Sequence, residues 1–135
     1  MDYTYNYRIG LFIQRNGYID AINPKDMVSL YQIPSKMTFK PILLNEYTIQ
    51  AYGFVKSNEK YKGFLPFFRN DIMIVMRPFT NKYYCVNIPI LMNFEYLHEL
   101  QDFFEMMSPL PHQKLTSFPD FIIRYGSRYL DVSGR

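Results

Sequence analysis

A chain of 135 residues, 48% hydrophobic and 20% charged, can bury about two-thirds of its unfolded surface and needs no metal or disulfide staple. Thirteen Tyr and twelve Phe exclude a disordered chain, and a formal charge of +3 excludes the strong basic bias of a dedicated nucleic-acid binder. Cys85 is the sole cysteine, so no internal disulfide forms, and the longest apolar run, Ile72–Met76, falls far short of the ~20 residues of a membrane span. The polar, Tyr-rich first residues do not read as a signal peptide. The expectation is a cytoplasmic protein folded as one domain, with a β-rich submodule over 1–40, an α+β core over 41–108 and a C-terminal extension over 109–135.

Tyr3, Tyr5, Tyr7, Ile9, Leu11 and Ile13 fall on successive odd positions, which predicts a strand with one apolar face. Asn16-Gly17 is a strong hairpin signal, because both residues tolerate positive φ. A second strand follows over Tyr18–Ile22. Asn23-Pro24-Lys25-Asp26 reads as a turn and Met27–Ile33 as a third strand, giving an antiparallel meander. Beyond Pro34-Ser35, Met37–Leu43 reads as extended. Asn45 then caps a short helix, with Leu44 stapled to Ile49 and Gly53 as its stop. So short a helix must be docked to persist. Strands are predicted over Tyr61–Phe67, Ile72–Arg77 and Tyr83–Ile88, the middle one apolar throughout and therefore central. Phe94–Met107, capped by Asn93, carries Leu97, Leu100, Phe104 and Met107 as one apolar stripe, with Glu95, His98, Glu99, Gln101, Asp102 and Glu105 opposite. Phe118-Pro119-Asp120 opens a last short element.

Two phrases mark the middle and late chain. Pro41-Ile42-Leu43-Leu44-Asn45-Glu46 is followed by Gly53-Phe54, and Tyr96-Leu97-His98-Glu99-Leu100-Gln101-Asp102 precedes Phe103-Phe104. In order and spacing they resemble a family of small proteins encoded by phages and mobile elements of Bacteroidota. The likeness spans residues 41–107. Asn45 stands where the family usually has Thr, and the tail past Met107 is longer than usual. The resemblance implies origin and architecture, including a small β-rich N-terminal module. The family carries no established activity, so no catalytic residue is transferred.

The candidate residues each admit two readings. His98 and Asp102, one helical turn apart, could form a metal clip or general-base pair, but a metal site needs further ligands, and His112 lies in a Pro-rich turn. The other reading is a structural histidine. Cys85 has no neighbour that would activate a thiol and reads as a buried side chain. Glu95, Glu99, Asp102 and Glu105 either dock a basic partner or form a solvated face. Tyr3, Tyr5 and Tyr7 with Arg8 and Arg15 would make a stacking platform for single-stranded nucleic acid or an interface strand, or else the tyrosines line the core. Phosphate loops, Gly-x-Ser-x-Gly and Cys-x-x-Cys are absent from the sequence.

These observations predict an α+β domain: an N-terminal antiparallel β-meander, a short docked helix, and a three-stranded antiparallel sheet packed by one longer amphipathic helix. The expected role is a non-enzymatic binding protein without cofactor or metal, contacting a host or phage protein and inhibiting a host defence complex. Direct nucleic-acid binding through the Tyr/Arg module is the alternative. A Tyr-rich edge strand adds homodimer pairing as a further mode.

Overall fold

The computed structural model describes residues 7–32, 39–77, 80, 82–86, 93–107 and 116–129. The α+β class holds. An antiparallel hairpin of β1 (Phe12–Arg15) and β2 (Tyr18–Ala21) turns on Asn16 and Gly17, both at positive φ as the dipeptide predicts. It is followed by α1 (Pro24–Gln32), α2 (Glu46–Ala51) and a five-stranded antiparallel sheet in sequential order. Its strands are β3 (Val55–Lys56), β4 (Phe67–Arg69), β5 (Ile72–Met76), β6 (Tyr83–Cys85) and β7 (Asn93–Phe94). Two more helices, α3 (Leu97–Met107) and α4 (Phe118–Tyr125), complete the described elements.

Four expectations change. The third strand of the meander is a helix. Asn23 Oδ1 accepts the Asp26 N–H at 2.9 Å, and Asp26 Oδ2 accepts the Asn23 N–H at 2.9 Å. With Pro24 in the first turn, the residues that resemble a turn form a reciprocal helix cap. The sheet has five strands rather than three. Val55–Lys56 and Asn93–Phe94 are too short to show a period of two, yet each pairs along an edge. Residues 61–64, predicted as strand, make a tight turn in which Tyr61 and Phe64 exchange backbone hydrogen bonds, and the strand begins only after Pro66. The long helix starts at Leu97 rather than Phe94. Glu99 Oε1 accepts the N–H groups of Glu95 and Tyr96, which caps the helix there and leaves Asn93 in β7. The prediction for α2 stands: Asn45 accepts from the N–H groups of Tyr47 and Thr48, and its own N–H donates to Thr48 Oγ1.

The first strand is also shorter than its odd-position pattern suggested. Gly10 sits at φ 95 in a turn, and Ile9 is 54% exposed. Tyr3 and Tyr5 lie outside the described residues. The hairpin is buried on both faces. Phe12 and Ile19 enter the main core with Ile49, Tyr52, Phe94, Phe104 and Phe121. Leu11 and Ile13 join a second cluster with Tyr7, Ile22, Leu30 and Phe39. Two-sided burial departs from the single apolar face that the odd positions predicted. Both hairpin edges are met within the chain: Gln14 exchanges backbone hydrogen bonds with Lys40, and Ile19 N–H donates to Ser127 O at 2.7 Å.

Candidate functional site

α3 turns one stripe of polar residues toward the N-terminal arm, with Asp102 half-exposed at its rim. His98, Gln101, Asp102 and Glu105 recur at helical spacing along one stripe. Gln101 is buried, and its Oε1 accepts the Phe12 N–H at 2.8 Å while its Nε2 donates to Gly10 O at 3.1 Å. Arg8 Nε donates to Asp102 Oδ1 at 2.6 Å, and its guanidinium also pairs with Glu105. His98 is fully buried, its ring centroid 4.8 Å from that of Tyr7 and 5.9 Å from that of Tyr96. Neither ring nitrogen has a hydrogen-bond partner among the described residues. Burial pushes the imidazole down from 6.5 to about 4, against the pull of the Asp102 charge, so it is neutral at pH 7. The predicted helical face set His98 and Gln101 opposite the apolar stripe; both are buried, and His98 takes the structural reading.

Arg15 is equally committed. Its Nη1 and Nη2 reach Asp26 at 2.9 and 2.8 Å, and its Nε reaches Asp20 at 2.9 Å. Burial alone would raise the Asp26 carboxyl. The Arg15 hydrogen bonds, the Asn23 N–H and the Arg15 charge outweigh it and hold the group below its ordinary value. The guanidinium carbon also lies 5.7 Å from the Phe39 ring centroid.

The predicted residues therefore fall into two groups. His98, Asp102, Tyr7 and Arg8 meet at one seam, where Tyr7 takes the core role and Asp102 is engaged by Arg8 rather than by His98. Arg15 lies apart from them in the hairpin, Glu99 is consumed as a helix cap, and Glu95 joins the backbone bridge to Leu44. Cys85 is buried in β6. Among the described residues no group of three or more His, Cys, Asp or Glu is placed to hold a metal. No described helix is long and apolar enough to cross a membrane.

Sequence reasoning missed a different feature, a groove around α2. It consists of three adjoining clefts. One of about 320 Å³ runs between Tyr47, Gln50 and Arg124, and one of about 440 Å³ adds Val55 and Lys56 to Gln50 and Arg124. The third, about 280 Å³, lies between Lys56, Lys60 and Glu46 over an apolar floor that includes Phe64 and Leu65. Gln50 and Arg124 line the first two, and Lys56 lines the last two. Behind Gly53, Arg69 stands over the Phe104 ring at 4.5 Å and donates to Thr116 Oγ1 at 2.6 Å. A Cβ on Gly53 would come within 2.9 Å of Arg69 Nη1, and its φ is +105, so glycine is required there. The available signal was the lysine-rich stretch over 56–62, which by itself reads as a polar turn.

No protein-family model matches this chain, and comparison with curated proteins and with solved structures finds no match.

Proposed function

We propose that this is a non-enzymatic binding protein of a phage or mobile element, acting in the host cytoplasm by protein–protein contact on a host defence complex. The observation that carries the contact reading is how the side chains are divided. The ionisable groups nearest to a catalytic constellation are engaged internally, with His98 sealed and neutral and Asp102, Glu105 and Asp26 held by arginines. Large apolar side chains meanwhile stand in solvent, Val55 at 69% and Tyr47 at 63% exposed on the adjoining clefts around α2. Apolar side chains gathered at clefts favour adhesion. The phage or mobile-element origin rests on the two sequence phrases, and the defence target follows from that origin.

The nucleic-acid alternative draws less support. Of the expected platform, Tyr7 is buried and Arg8 and Arg15 are engaged by carboxylates. Affinity capture from host lysate, with and without nuclease and across a salt series, tests the reading. A specific protein retained after nuclease and at high salt is expected. Capture that disappears with nuclease and falls steeply with salt would transfer the function to nucleic-acid binding. Failure to retain any specific protein would refute the contact reading.

A further inference from the structure

Resting on the contact reading, we propose that the groove around α2 is the docking surface for an extended, acidic segment of a partner protein that also carries apolar side chains. Continuity comes first. Gln50 and Arg124 join the first cleft to the second and Lys56 joins the second to the third, so a single chain can run from α4 past β3 to the turn at 61–64. Charge comes second. The groove presents Arg124, Lys56 and Lys60 against one carboxylate, Glu46, which already pairs with Lys56 at 2.5 Å. Arg124 at one end and Lys60 at the other are left without an acceptor among the described residues. Arg69 adds a second guanidinium behind Gly53. Burial lowers its pKa, and the Arg124 charge lowers it further against the opposing pull of Tyr52 and Glu105.

The backbone supplies the third element. β3 is an edge of the sheet, and Ser57 N–H bonds to Pro66 O, so antiparallel alternation turns the N–H and C=O of Lys56 away from β4. An added strand can take those two groups, while Val55 and Tyr47 receive its apolar side chains. This combination favours a peptide over single-stranded nucleic acid, which needs successive open aromatic faces and a run of phosphate-binding cations.

The test uses the full chain, isotopically labelled, titrated by NMR with three probes: a short peptide of Glu, Leu and Ser, the same peptide with Lys in place of Glu, and oligo(dT). The acidic peptide should shift the amides of Gln50, Val55, Lys56, Lys60 and Arg124, with the other two probes leaving them in place. The double variant Arg124→Glu/Lys60→Glu should lose about tenfold or more in affinity for it. Val55→Asp provides an independent variant that leaves both cations intact and should also weaken binding. Shifts away from the groove, equal response to the basic peptide, or preferential response to oligo(dT) would overturn the assignment. A partner captured from lysate that binds the double variant undiminished would remove the groove and leave the contact reading standing. Groove binding by the acidic peptide with no lysate partner would do the reverse.

Discussion

Two charged regions of this molecule invite comparison: the α3 seam and the groove around α2. On the seam, the charges of Arg8, Asp102 and Glu105 close on one another, and Gln101 satisfies backbone groups of the arm. Around α2, cations exceed carboxylates and apolar side chains remain in solvent. Both regions come from similar sequence, short stretches of mixed charge and aromatic residues. What separates them is whether the tertiary fold brings a partner from the distant chain. Arg8 finds Asp102 across 94 residues, whereas no described segment brings a carboxylate to Arg124.

The contrast can be tested by its expected energetic asymmetry, largest effect first. Asp26→Ala strips Arg15 of its bidentate partner and α1 of its reciprocal cap, and should cost about 3–5 kcal/mol in denaturant unfolding. A loss below about 1 kcal/mol would show the pair to be a surface contact. Acid should act through His98. Its native pKa lies below the ordinary 6.5, so the unfolded chain takes up a proton first as pH falls. The stability it contributes is complete above about pH 6.5 and is lost towards about pH 4, amounting to about 3 kcal/mol. In His98→Leu this part of the pH dependence should vanish. At pH 7 the variant should match the parent or exceed it by about 1 kcal/mol, since two unpartnered ring nitrogens leave the interior. A stability profile of the same slope in both proteins would contradict the assignment.

Gln101→Leu should cost about 1–3 kcal/mol, because the Phe12 N–H and Gly10 C=O lose their partner. Amide exchange at Phe12 should rise in parallel, and unchanged protection there would detach Gln101 from the arm. The smallest effect belongs to the groove: Arg124→Glu should alter unfolding stability by no more than about 0.5 kcal/mol. A larger loss would mean that Arg124 is a structural residue.

Much of the architecture was legible where local chemistry decides it. Asn16-Gly17, Asn45 and the apolar run at β5 act through the residues themselves, and all three lie where expected. Legibility failed where one sequence signal serves two geometries. Asn23-Pro24-Lys25-Asp26 suits a turn and a helix cap alike, and only the docking of Leu30 against Tyr7, Ile13 and Phe39 decides between them. The candidate residues failed for a related reason. An arginine beside tyrosines looks like a platform until the fold supplies its carboxylate, and a histidine on a helix looks like a ligand until its ring is packed against Tyr7. The groove was hidden because its cations come from α4, β3 and a loop, which no window along the chain brings together.

The sequential strand order of the sheet has a consequence for how the chain matures. From β3 to β7 each strand joins its immediate predecessor, so this half can zip up through short loop closures as it leaves the ribosome. The hairpin cannot be secured that way. It emerges before the sheet, yet the Phe12 N–H waits for Gln101 and the β2 edge for Ser127. Nascent chains halted before α3 should therefore carry a protease-sensitive hairpin, which gains protection once α3 and Ser127 have been added.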